Sequence, residues 1–324
     1  MGCALMSRIR NLVMACSALV PIALSTPAQA ALDSRLRGAI LTDEDAAPPA
    51  RQKLHDSNID VRSLSFAASR SDANSVMYLA PATSTPAYGK TAAQIANSMG
   101  FLGNANGAGV IIGIVDTGVQ LDHPEFLNSA GVSRVLPGTC LPGYSTTLCS
   151  SDHNKLGGDD SVWPTITHGT HVAGIAAGLT VGLASDASIL PVRVCDPSNG
   201  SCPGDIDGGI VWASQHGASV INLSLGESFL TSHDIASAQT AIANGSLIVV
   251  AAGNGGNSSP ASGFLAGAAL YDGVRGSMIV VGALDATNHI ASFSQTPGNT
   301  CLAQSSGTYC MQDYFVVAPG YAIK

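Results

Sequence analysis

His168-Gly169-Thr170-His171-Val172-Ala173-Gly174 is the stretch whose reading decides the fold. Ala176, Ala177 and Gly178 extend it, and a helix of such small residues can pack deep against a sheet with its first turn at the edge. Upstream, Ile114-Val115-Asp116-Thr117-Gly118-Val119 reads as an apolar strand that ends in a carboxylate and a tight turn. Downstream, Ala251-Ala252-Gly253-Asn254 ends another apolar strand in glycine and a side-chain amide. Apolar, β-branched runs predict strands over 110–115, 188–194, 219–223, 247–251, 278–281 and 315–317. Helices are predicted between them over 168–178, 205–216 and 233–244, with a short one over 91–99. Strands without clean period-two alternation, separated by helices, imply an α/β domain with a mostly parallel sheet buried on both faces. Sites in such sheets lie outside the carboxyl ends of the strands, where Asp116 and Asn254 fall.

The 324 residues are 46% hydrophobic and only 11% charged, with 36 glycines, which describes a well-buried fold with many turns. Residues 1–30 carry Arg8 and Arg10, an apolar run over 12–24 and Ala28-Gln29-Ala30, the pattern of a secretory signal. The run is short and broken by Pro21, which argues against a membrane anchor, and no later segment is long and apolar enough to span a bilayer. Losing residues 1–30 removes two arginines and no acids, leaving 12 basic against 22 acidic side chains, a net of −10. That balance argues against nucleic acid or anionic lipid as a partner. Residues 31–88 are rich in Asp, Ala, Ser and Pro and read as a propeptide or linker, with one domain over 89–324.

Cys3 and Cys16 fall inside the signal. The other six stand as near neighbours: Cys140 with Cys149, Cys195 with Cys202, Cys301 with Cys310. Six cysteines allow fifteen connectivities. Each pair brackets a short Gly/Ser/Pro/Thr-rich segment, which favours local disulfides in an exported protein. A zinc site is the rival reading, and the spacings do not suit it.

A carboxylate at Asp116 can accept the Nδ1 proton of a histidine and fix its tautomer; taken alone, a strand-end turn cap is the plainer reading. His168 is the candidate base. His171 reads as a core or backbone-bonded residue, with a metal pair as its weaker rival, since neither a glutamate nor a third ligand accompanies it. Asn254 could donate to an oxyanion, and Gly255-Gly256-Asn257 also suits a turn.

Asp, His and Asn in this order, with Asp122-His123-Pro124-Glu125-Phe126 after the aspartate, resemble the subtilisin family of serine proteases over residues 90–324. The resemblance implies a subtilisin-like three-layer fold, incomplete at its C-terminus. The family's Gly-Thr-Ser motif should follow Val317-Ala318-Pro319-Gly320, and no such motif precedes Lys324. It further implies that Asp116 orients His168, that His168 activates a serine, and that Asn254 holds the oxyanion. Ser224-Leu225-Gly226 and Ala251-Ala252-Gly253 would wall the substrate pocket, and Asn199-Gly200-Ser201 would pair with extended substrate. Ser224 lacks a nucleophile elbow. Ser306-Gly307-Thr308-Tyr309 reads as the tip of a Cys301–Cys310 loop and not as the nucleophile motif.

No cofactor is required and no metal site is assigned. Structural calcium is an open point: Glu125 matches a family ligand position, and Asp159-Asp160 or Asp196 with Ser198 could add oxygens. Solvated surface carboxylates are the plainer reading. The expected function is an exported serine endopeptidase, secreted, periplasmic or at the cell surface, acting on proteins or peptides. The 324 residues by themselves are expected to be inactive, with part of the apolar sheet uncovered. The rival is a truncated or pseudo-protease that keeps a peptide groove. A dinucleotide enzyme is disfavoured, because no Gly-x-Gly-x-x-Gly links a first strand to a helix.

Overall fold

The computed structural model describes residues 77–78, 91–94, 106–145, 147–149, 168–197, 199–226, 229–256, 261–263 and 265–320. The signal sequence and nearly all of 31–88 lie outside these. Eight strands form one sheet: β1 (Met77–Tyr78), β2 (Ile111–Asp116), β3 (Thr139–Cys140), β4 (Ser188–Arg193), β5 (Val220–Leu223), β6 (Leu247–Ala251), β7 (Met278–Leu284) and β10 (Phe315–Pro319). Their order is β1-β10-β7-β6-β5-β2-β4-β3 and every pairing is parallel. Three helices accompany them: α1 (His168–Ala177), α2 (Ile206–Gln215) and α3 (Ser232–Ala243). Residues 92–94 are helical, and most of the short helix expected over 91–99 lies outside the described residues.

Side chains that alternate along each strand go to different layers. Ile112 and Ile114 of β2 pack with Val172, Ala173 and Ala176 of α1, whereas Val115 joins Ile210 of α2 and Ala238 of α3. Helices on both faces therefore cover the sheet, which is why its strands show no polar alternation. Val220, Val249, Val281, Val316 and Ala318 form one further apolar patch. All five are buried.

The small residues of α1 do not all serve close packing. A Cβ on Gly178 would crowd the Gly174 carbonyl and Val181, but one on Gly174 would meet nothing within 4 Å. Glycine inside a helix costs roughly 0.5–1 kcal/mol relative to alanine. Gly174→Ala is therefore expected to raise stability by about that amount, measured by urea denaturation, and a decrease would show an unseen constraint there.

The structure joins Cys140 to Cys149, Cys195 to Cys202 and Cys301 to Cys310. The last pair closes a hairpin of β8 (Cys301–Gln304) and β9 (Gly307–Cys310), in which the two cysteines face each other. Ser306 sits in its turn and its Oγ donates to Asp272 Oδ1 at 2.8 Å, a structural role. Replacing Cys301 and Cys310 together by serine is expected to cost about 2–3 kcal/mol, the loop-closure scale for so short a loop. Thermal unfolding with and without reductant checks this.

Candidate active site

β5, β2 and β4 are adjacent and parallel, so the segments after them share one edge of the sheet. The chain passes from β4 through α2 to β5, on the other side of β2, and this reversal of direction opens a crevice at that edge. Asp116 is the last residue of β2 and His168 the first of α1. Both are buried, with His168 Nδ1 2.6 Å from Asp116 Oδ1. A carboxylate oxygen only accepts, so Nδ1 carries the hydrogen and Nε2 is left as the basic nitrogen.

Three hydrogen bonds dock the turn after β2 onto the start of α1. Besides the Asp116–His168 pair, Gly169 N–H donates to Thr117 Oγ1 at 2.9 Å, and Gln120 N–H donates to Thr170 Oγ1 at 2.9 Å. The Thr117 hydroxyl thereby satisfies one of the first-turn amides that a helix leaves without an internal partner. Asp116 Oδ1 also accepts from Thr117 N–H at 2.7 Å, so the carboxylate holds its own turn as well as the imidazole.

Sequence reasoning did not single out Arg193. It ends β4 in register with Asp116, is fully buried, and its Nε donates to the Thr117 carbonyl at 2.8 Å. A charged residue ending an otherwise apolar strand was the available signal. His171, three residues after His168, is half-buried. Burial first, and then the His168 charge, push its pKa down, which favours the neutral ring.

A cavity of about 910 Å³ opens beside the pair. Asp116, Thr117 and His168 line it, with Gly200 and Ser201 after β4 and Ser224-Leu225-Gly226 after β5. The structure thus brings most of the predicted groove residues together around the Asp–His pair. Asn199, Ala251, Ala252, Gly253 and Asn254 do not line this cavity. Asn199 instead holds its own loop, accepting from Ser201 N–H at 2.8 Å. Gly253 follows β6 with φ 103°, and its carbonyl accepts from Gln295 N–H at 2.9 Å. The cavity also takes in residues the sequence did not flag, among them Tyr144, Asp207, Phe229 and Asp234.

Glu125 is engaged as a hydrogen-bond acceptor and not as an open cation ligand. Its carboxylate accepts from Thr180 N–H at 2.8 Å, Thr180 Oγ–H at 2.5 Å and Val181 N–H at 3.3 Å, closing the turn after α1. Asp159, Asp160 and Ser198 lie outside the described residues. Among the described residues no group of three or more His, Cys, Asp or Glu could hold a metal ion. The Glu125 oxygens are thus engaged by the turn after α1.

Burial raises the Glu125 pKa, but the bonds from Thr180 and Val181 and the nearby His123 outweigh it, and the net shift is downward from 4.5. A lowered acid stabilises the fold fully above its unfolded pKa and loses that contribution as pH falls through the folded one. Wild-type stability is expected to fall below about pH 4.5 more steeply than that of Glu125→Gln, measured by denaturation across pH. Parallel curves would show that Glu125 contributes nothing there.

A buried Asp–His pair at the carboxyl edge of a parallel sheet, beside a cavity of about 910 Å³, defines an α/β protein equipped for base-assisted chemistry. The subtilase family model matches residues 107–322, two thirds of the chain, and the chain belongs to that family. It is 34% identical over 216 residues to thermitase of Thermoactinomyces vulgaris, covering 65% of this chain and 67% of that protein. It is 35% identical over 193 residues to an extracellular serine proteinase of Thermus sp. (strain Rt41A), covering 59% and 40% respectively. Subtilisin DY of Bacillus licheniformis is 34% identical over 193 residues, covering 58% and 61%. The chain thus spans from about two fifths to two thirds of these relatives' lengths. A crystal structure of a cold adapted subtilisin-like serine proteinase superposes with a TM-score of 0.45 at 26% identity, covering 66% of this chain and 74% of that one. Among the described residues no helix is long and apolar enough to cross a membrane.

Proposed function

We propose that the complete protein is an exported serine endopeptidase in which Asp116 and His168 are two members of an Asp-His-Ser triad. The observation that carries this reading is the buried 2.6 Å pair at the wall of a cleft of peptide-binding size. Family membership and the extracellular proteinase among the relatives support it. The pattern over residues 1–30 supports export, and residues 31–88 are the proposed propeptide or linker.

Residues 1–324 contain no Gly-Thr-Ser, so the nucleophile is assigned to sequence beyond residue 324. His168 Nε2 takes the proton of that serine hydroxyl as its oxygen attacks the scissile carbonyl carbon. Asp116 holds Nδ1–H and stabilises the imidazolium that forms. Asn254 and the nucleophile's backbone N–H are assigned to the oxyanion. His168 then returns the proton to the leaving amine, the C–N bond breaks, and water hydrolyses the acyl-enzyme through the same base. Ser224-Leu225-Gly226 on one side and Gly200-Ser201 on the other offer main-chain groups to an extended substrate.

The test uses the product of the complete reading frame. A fluorophosphonate probe should label one serine outside residues 1–324, and casein hydrolysis should vanish in His168→Ala. Peptide binding without labelling or hydrolysis would instead establish a groove-only protein.

A further inference from the structure

We propose that the cavity wall formed by the first turns of α2 and α3 is a subsite for a cationic side chain, arginine or lysine, of the bound peptide. The inference rests on reading the cleft as a peptide groove and adds its preference. α2 and α3 follow the parallel strands β4 and β5, so both helices begin at the carboxyl edge where the cleft lies. Asp205, Asp207 and Asp234 all line the cavity there.

Helix capping explains only part of this acidity. Asp205 caps α2 by accepting from Gly208 N–H at 2.8 Å, and Asp234 forms a capping box with Thr231, accepting its N–H on Oδ2 at 2.6 Å. Capping leaves Asp234 Oδ1 with no hydrogen-bond partner among the described residues, although Asp234 is 0% exposed. A buried carboxylate oxygen without a donor is costly, and Asp234 is among the residues that line the cavity.

Asp207 is not a cap. It accepts from Ser237 Oγ at 2.7 Å, which ties the two helices and holds a second carboxylate near Asp234. Burial, and then the charges of Asp234 and Asp205, push its pKa up against the opposing Ser237 bond and His233. An incoming cation would relieve that repulsion. The two helix N-termini contribute only about half a positive charge each, which leaves about two of the three carboxylates' negative charges in excess. His233, exposed at the start of α3, and His168, at the Asp116 pair, are the histidines that line the same cavity.

No group of three such ligands among the described residues suits a metal ion, so a side-chain cation is the fitting occupant. Tyr144 and Phe229, both exposed, line the same cavity. Their rings can cover the aliphatic stem and the guanidinium face of an arginine.

The test measures fluorescence anisotropy of labelled alanine hexapeptides carrying Arg, Leu or Glu at one position at a time. The receptor is the complete protein with His168→Ala, so that nothing is cleaved. Arginine at one position should bind about tenfold tighter than leucine, the scale of a charged hydrogen bond. High salt should shrink that advantage. Asp207→Asn should remove most of it, and Asp234→Asn, which keeps a capping oxygen, should weaken it too. Leucine matching arginine at every position, or an advantage intact in both variants, overturns the subsite and leaves the groove standing. Failure of every peptide to bind would overturn the groove reading and the subsite with it.

Discussion

Asp116→Asn is expected to lower the turnover of the complete peptidase about ten-thousandfold, the scale on which a triad fails when its histidine adopts the wrong tautomer. The wild-type carboxylate can only accept, so it pins the hydrogen on His168 Nδ1 at 2.6 Å. An asparagine amide can turn its NH₂ toward Nδ1 and drive the ring hydrogen to Nε2, the atom that must take the serine proton. The groove is untouched, so KM should stay near its wild-type value while kcat falls. Steady-state kinetics and the His168 ring-proton NMR signal read the two halves of the effect. A loss smaller than tenfold would show that Asp116 serves chiefly as the cap that its bond to Thr117 N–H also suggests.

Gly169→Ala should be among the most damaging single changes in the described fold. A Cβ there would overlap the Gly118 carbonyl oxygen and crowd its backbone nitrogen, and neither can rotate out of the way. Gly118 is itself fixed in a turn with φ 104°. Relief requires the turn after β2 to separate from α1, which breaks the Thr117–Gly169 bond and pulls Asp116 from His168. Overpacking of this kind costs about 3 kcal/mol, or a fall of roughly 10 °C in Tm for a domain of this size. Differential scanning calorimetry beside Gly174→Ala gives the control, since the two variants share a helix and should move in opposite directions. A Tm within about 2 °C of wild type would mean that the backbone contact yields easily.

The order of strands and helices was legible because it rests on local pattern. The strands expected over 188–194 and 247–251 appear as Ser188–Arg193 and Leu247–Ala251, and the helix over 205–216 as Ile206–Gln215. Their apolar runs, and the caps at Asp205 and Thr231, act over a few residues of chain. β3 was missed because two residues carry no period. Arg193 was missed because its role depends on facing Asp116 across two strands, which no local pattern encodes. The small residues in and just after α1 were read together as allowing close packing, and only contact geometry separates Gly169 and Gly178 from Gly174.

Sequence alone determined the alternation that makes a parallel α/β sheet, the chemical types at Asp116, His168 and Asn254, and the resemblance to the subtilisin family. Those follow from side-chain identity and short-range order, which the chain carries in any conformation. Tertiary structure decided which of these residues meet. It brought His168 to 2.6 Å from an aspartate 52 positions away and gave the Glu125 oxygens to Thr180 and Val181. It also set Asp207 and Asp234, from two helices, into one cavity wall. Such meetings arise only when parallel strands align their carboxyl ends and bring together segments far apart in the chain.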